Sequence, residues 1–290
     1  DAAQQYGRFN HYGFIIGGEF QRGQHRGGGE QANVQERDRI RALQLMRDAE
    51  KLIRGEADRK AVAQFYLRYS QFYRHQGNQS WRMQTLTDLD ELPDVEKGYY
   101  RGGGARNGAP VDAGGKPVLY AIPESLKGAA TDGERWRWFL AQSEKADPEW
   151  ADSVRWEFAQ FLYQQFGVQT MARYSWFFRP RDDEAGPRTF DLHTLTMDET
   201  ICQLATGIQR FQLPTEFSYI RVFEKIANGK SSNAKRNAIR TLAGIHENRR
   251  QYDMAVTWWE RYKEFDKNHA EQRIQQIIGN WGQFENLQSQ

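Results

Sequence analysis

Apolar positions along the chain follow a helical period in most places and break from it in four. From Glu36 onward, Ile40, Leu43, Met46, Ala49, Leu52 and Ile53 recur every three to four residues, the spacing of one buried helix face. After Gly55 the pattern restarts. Val62, Phe65, Tyr66, Tyr69, Phe72 and Tyr73 form a broad aromatic face between Asp58 and Gln76, with Gly77 as a stop. The two segments predict an antiparallel helical hairpin. Trp81 to Leu89 predicts a third helix ended by Pro93. Trp136, Phe139, Leu140 and Ser143 give another. Asp147-Pro148-Glu149 then opens a further helix, to about Gln165, with a capping acid, a proline at the first position and an acid facing the helix dipole. Thr196-x-x-Glu199 reads as a capping box. Ile201, Leu204, Ala205, Ile208 and Phe211 follow it at helical spacing up to Pro214. Phe217–Ala227 predicts one more helix, and about His269–Ile278 a last one ending at Gly279.

The clearest unit is residues 236–269, two amphipathic helices meeting at a short polar turn, about the length of one tetratricopeptide repeat. Leu242 and Ala243 supply the large–small pair of its first helix. Tyr252, Ala255 and Trp259 supply the aromatic and small positions of the second, and Asp266 the closing acid. Such a unit buries its apolar face only by stacking on neighbours, which creates an extended binding surface.

The periodicity fails in four places. Residues 1–33 are glycine-rich and predict an extended arm with a short strand near Phe14–Ile16. Residues 98–122, with turn signals Asn107-Gly108 and Gly114-Gly115, predict a β-hairpin insertion. Residues 173–192, with Pro180 and Pro187, read as a loop. Residues 280–290 read as a linker, and the absence of a polar capping repeat predicts a longer natural chain. The expected fold is therefore mostly α, a tetratricopeptide-like helical hairpin array (an α-solenoid). In that reading, 34–97 is an N-terminal hairpin region and 123–279 the array.

Composition narrows function by exclusion. Mean hydropathy is −0.86 and 13% of residues are aromatic, which suits a ring-filled helical core and not a disordered chain. Net charge is +2, with 29 Arg against 11 Lys. That balance favours local ion pairs over a long-range field and argues against a nucleic-acid partner. The basic excess at 230–250 (Lys230, Lys235, Arg236, Arg240, Arg249 and Arg250) reads as a solvated helix face. No apolar run approaches the roughly 18 residues of a membrane span. The chain begins at Asp1 without a signal peptide, as a mature product or excised segment would.

Catalytic and cofactor chemistry finds no foothold. Gly114-Gly115-Lys116 is followed by Pro117, which lacks a backbone donor, so it reads as a turn rather than a phosphate loop. Six histidines are scattered without ligand spacing; His246 occupies a packing position. Cys202, the single cysteine, reads as a buried small hydrophobe on a helix. The acids Asp88, Asp90, Glu91, Asp94 and Glu96 lack the glycine and register of a calcium loop. Neither a cofactor nor a metal is expected. Trp258 and Trp138 are the ring residues left facing outward.

The linear order of several segments resembles the N-terminal helical region of large secreted alpha-2-macroglobulin-like proteins of planctomycete-type bacteria. The segments are Tyr12-Gly-Phe-Ile-Ile-Gly-Gly-Glu-Phe20, Glu36-Arg-Asp-Arg-Ile-Arg-Ala-Leu-Gln-Leu-Met46, Gly133-Glu-Arg-Trp-Arg-Trp138, Glu199-Thr-Ile-Cys-Gln-Leu-Ala-Thr-Gly207 and Ile278-Gly-Asn-Trp-Gly-Gln-Phe284. The resemblance implies a secreted, periplasmic or cell-surface protein concerned with protease trapping or surface defence, with its reactive parts downstream. The family's thioester motif is of Cys-Gly-Glu-Gln type. Cys202-Gln203-Leu204 departs from it, so no catalytic role transfers.

The expected function is a non-catalytic protein-interaction or scaffolding module. Its protein or peptide partner could include downstream domains of the same chain. The partner-facing residues expected from the repeat pattern are Asn237, Arg240, Glu247 and Asn248, with Gln160 and Tyr163 from the preceding unit. Two other readings remain: a stand-alone adaptor or structural spacer, and an aromatic-rich carbohydrate-binding protein with a cleft of facing carboxylates and an aromatic platform.

Overall fold

A computed structural model describes residues 2–53, 55–75, 77–98, 108–171 and 191–288. It is mostly helical, 58%, with a four-stranded antiparallel sheet and a two-stranded hairpin. The chain divides into two compact units, Asp1–Arg106 with Tyr120–Ala151, and Asn107–Leu119 with Asp152–Gln290. The 173–192 loop lies outside the described residues except for its last two.

In the first unit the glycine-rich segment is not an extended arm. After a short helix α1 (Ala2–Tyr6) come strands β1 (Tyr12–Ile16), β2 (Glu19–Arg22) and β3 (Glu30–Asn33). With β4 (Glu96–Lys97) they form a sheet in the order β2-β1-β3-β4. The glycines bar a helix but suit tight turns. Gly17 and Gly18, at φ +60° and +86°, make the two-residue loop that joins β1 to β2, the geometry that matches strand twist. Gly13 lies so close to the Gln21 backbone that a Cβ would strike it.

Helix α2 (Gln35–Ile53) follows the sheet. It buries Ile40, Leu43 and Met46 as the periodicity predicts, while Leu52 at its end is 83% exposed. The sheet is tied to its first turn by Asp38, which is buried. Arg22 grips that carboxylate with two bonds, 2.7 and 2.6 Å, and His11 Nδ1 lies 2.8 Å away. Burial opposes ionisation of Asp38, but these bonds outweigh it and hold the carboxyl below its ordinary range.

Helix α3 (Arg59–Tyr73) starts at Asp58, whose side chain accepts the Lys60 and Ala61 backbone N–H groups at 2.9 and 3.2 Å. Its aromatic face packs chiefly on α4 (Asp132–Ala146) rather than on α2. Phe139 meets Tyr69 at 4.0 Å and Tyr73 at 5.6 Å between ring centroids. Each such pair contributes about 0.5–1.5 kcal/mol beyond area burial. Small residues let the helices approach, and Ser143 Oγ donates to the Ala63 carbonyl at 2.8 Å. The predicted third helix is a shorter 3-10 segment, Gly77–Gln84, and the chain beyond it up to β4 carries no regular helix.

Helix α5 (Ala151–Phe166), which belongs to the second unit from Asp152 onward, begins as predicted: Asp147 caps the Pro148–Trp150 turn by accepting the Glu149 N–H at 3.0 Å. The helix expected after Thr196 is instead a hairpin, β5 (Glu199–Leu204) and β6 (Gly207–Gln212). Half of the capping box does form, with Glu199 Oε2 accepting the Thr196 N–H at 3.2 Å. The same carboxylate, however, takes two bonds from Arg210 across the hairpin, both 2.9 Å. Such a fork is stronger than a neutral local bond, and the apolar spacing fits either state.

Residues 108–118 make a tight turn around Asp112, whose side chain accepts the Gly114 and Lys116 N–H groups at 2.8 and 2.9 Å. Val111 bridges Pro117, but Ala109 pairs in parallel with Leu204. The predicted insertion is thus an added edge on β5 rather than an independent hairpin. Residues 99–107 lie outside the described residues.

Helices α6 (Tyr219–Ala227), α7 (Ser232–Asn248), α8 (Tyr252–Tyr262) and α9 (Lys267–Gln288) then pack each on the next. Helix α7 ends with both bonds of a Schellman turn, Gln251 N to His246 O and Arg250 N to Glu247 O, each 2.9 Å. Arg250 sits at its left-handed position, φ +57°. Asp266 closes the repeat by accepting the His269 N–H at 3.1 Å, which starts α9. That helix does not stop at Gly279, so the segment read as a linker is helical to Gln288. Among the described residues no helix is long and apolar enough to cross a membrane.

Candidate functional site

The partner-facing residues expected from the sequence divide into two groups. Asn237, Arg240 and Asn248 lie at i, i+3 and i+11 on α7 and are exposed, while Ala238, Ile239, Leu242, Ala243 and Ile245 fill the opposite, buried face. Gly244 lies between them, with open space where a side chain would stand. On α5, Gln160 and Tyr163 are half-buried. Asn248 Nδ2 donates to the Tyr163 hydroxyl at 3.2 Å, so α5 and α7 present one connected polar surface. Beneath it, the Tyr163 ring lies 5.5 Å from Tyr219 and Trp156 lies 5.5 Å from Phe223, fixing α5 on α6.

Glu247 does not belong to that surface. Its Oε1 accepts the Trp259 indole N–H at 2.6 Å and its Oε2 pairs with Arg273, so it ties α7 to α8 and α9. The repeat pattern placed it on the partner side because the bonds it makes come from residues 12 and 26 positions away.

Two further readings change. Trp258 is buried rather than outward, with the Arg261 guanidinium 4.5 Å from its ring centre; Trp138 is half-buried against Tyr66 and Phe139. Arg249, read as part of a solvated basic face, is fully buried. It donates to the Thr196 and Glu199 carbonyls at 2.9 and 2.8 Å and to the Tyr219 hydroxyl at 2.6 Å.

In this unit burial favours the neutral forms of His246 and Cys202. His246 is buried, which lowers its pKa, and its Nδ1 lies 2.8 Å from Gln251 Oε1. Cys202 is fully buried on β5, where burial pushes its thiol pKa up. The hydrophobic environment expected for it is present, on a strand rather than a helix.

The first unit carries a cleft of about 450 Å³ that the sequence did not reveal. Glu36 organises one wall, accepting from Arg39 at 3.0 and 2.6 Å and from Arg82 at 2.8 Å. Burial opposes ionisation of Glu36, yet the bond from Arg39 and the charges of Arg39 and Arg82 prevail and lower its pKa. Behind it Arg39 donates to Thr87 at 2.8 Å, and Thr87 is bonded in turn to the buried Asp132. Trp81, 48% exposed, lines the cleft with Asp88 and Glu91.

The acids between 88 and 96 do not converge. Asp90 pairs with Arg47 at 2.7 Å, and Glu96 accepts from Asn33 at 3.3 Å. Among the described residues no three carboxylate, imidazole or thiol groups gather as a metal cage. No protein-family model, curated protein or solved structure matches the chain.

Proposed function

We propose that the chain is a non-catalytic protein-interaction module whose helices α5 to α9 work as a tetratricopeptide-like array. The observation that carries this reading is the Asn248–Tyr163 bond. It joins the polar faces of α5 and α7 into one surface, with the Tyr163 ring anchored in the apolar core beneath. Asn237, Arg240 and the open space above Gly244 extend that surface along α7. Planar amide, guanidinium and phenol groups on rigid helices suit a protein or peptide chain, whose backbone presents donors and acceptors at regular intervals. The resemblance in motif order further suggests a larger exported protein of protease-trapping or surface-defence type, with the partner supplied by downstream domains or by a second protein.

Photo-crosslinking tests the reading. A photoreactive residue at Arg240 should capture a defined partner, and one at Asp253 on α8 should not. Arg240→Ala with Asn248→Ala should weaken capture at least tenfold while leaving the circular dichroism unchanged. Equal capture at both positions, or full binding by the double variant, would refute the surface assigned here.

A further inference from the structure

We propose that the cleft of the first unit binds a neutral sugar residue of a glycan, with the Trp81 indole as the stacking plate. The inference is independent of the α5–α7 surface.

Its first support is the half-exposed Trp81 in a cleft whose other lining is mostly polar. An indole presents an apolar face beside hydrogen-bonding neighbours, which matches a sugar ring: C–H groups on its faces, hydroxyls on its rim. Arg82 packs its guanidinium 5.5 Å from the Trp81 ring centre, steadying the plate.

Charge is the second support. The lining holds the carboxylates of Glu36, Asp88 and Glu91 against the guanidiniums of Arg39 and Arg82. Both guanidiniums are already bonded to Glu36, so an anionic ligand would compete with a bond in place. A cationic ligand would meet those same two guanidiniums. The mixture suits an uncharged ligand rich in donors and acceptors.

Unused capacity for hydrogen bonds is the third. Asp88 and Glu91 stand outside the Glu36 network among the described residues and can accept from other hydroxyls. The wall is set before binding, because Asp132 also pairs with Arg135 at 3.2 Å and receives the Thr87 N–H at 3.0 Å. Preorganisation of this kind spares the ordering cost of the contacting side chains.

The test is a binding screen of the whole chain against neutral gluco-, manno-, galacto- and xylo-configured oligosaccharides, read by calorimetry at millimolar ligand. At least one probe should bind. Trp81→Ala should weaken that binding at least tenfold, Trp81→Phe less, and Asp88→Asn with Glu91→Gln severalfold. Asp253→Ala, at an exposed position on α8 that belongs to neither surface, should leave it unchanged. Failure of every neutral probe, or binding that survives Trp81→Ala, would overturn the proposal. Binding of an octalysine peptide in place of any sugar would also overturn it and assign the cleft to a cationic ligand.

Discussion

Arg249 Nη2 donates to the Tyr219 hydroxyl at 2.6 Å, and its guanidinium carbon lies 5.4 Å from the centre of the same ring. The pair locks the C-terminal end of α7 to the start of α6. Through the Thr196 and Glu199 carbonyls it also fixes the approach to β5. A cation at full burial costs several kcal/mol in lost hydration, and persists only where acceptors surround it. Removing it therefore strands two carbonyls and leaves the Tyr219 hydroxyl with Thr200 as its partner, at 3.3 Å. Arg249→Ala should destabilise the second unit by about 3–5 kcal/mol, and Tyr219→Phe by about 1–2 kcal/mol. Urea denaturation followed by circular dichroism measures both; a loss under about 0.5 kcal/mol for Arg249→Ala would contradict the role described.

The left-handed residue that ends α7 makes a prediction of the opposite sign. Arg250 holds φ +57°, a conformation that costs a residue with Cβ about 1 kcal/mol relative to glycine. Arg250→Gly should stabilise the protein by a few tenths to about 1 kcal/mol, the gain being reduced by glycine's larger unfolded-state entropy. A rise in the urea midpoint at unchanged slope is the expected result.

His75 supplies a pH dependence in the first unit. Burial, together with the charges of Arg39 and Arg82, lowers its pKa from 6.5 to about 4, against an opposing pull from Glu36. The unfolded chain thus binds a proton that the folded one refuses between those two values. The contribution of neutral His75 is fully present above pH 6.5 and is lost as pH falls toward 4. Acidification from pH 7 to pH 4 should remove about 3 kcal/mol through this group. His75→Gln should flatten that part of the stability profile, leaving the steeper carboxylate-driven loss at lower pH. An unchanged profile would show that His75 titrates normally.

Cys202 should be chemically silent in the folded protein. It is fully buried and burial favours its protonated thiol, so a disulfide reagent must wait for the strand to open. Native chain should react with Ellman's reagent at least about a thousandfold more slowly than chain in denaturant. Fast labelling would place β5 among the readily opening parts.

The sequence by itself determined the parts whose signals are local. Helices α2, α3, α4, α5, α7 and α8 lie where the 3.6-residue period and the cap at Asp147 put them. Those features act within one or two turns, so one sequence window contains both partners. The polarity of Asn237, Arg240 and Asn248 on α7 was legible for the same reason. Tertiary structure alone decided the rest. Glu199 bonds Arg210 across a hairpin where a helix was expected, and strand pairing gathered the glycine-rich segment into a sheet. Trp259 and Arg273 drew Glu247 away from the exposed face. The Trp81 cleft depends on Glu36, Arg82 and Thr87 meeting across some fifty residues of chain. Side chains with a free choice of partner are placed by whichever distant group satisfies their charge and hydrogen bonds once the backbone has folded, and no periodicity records that choice.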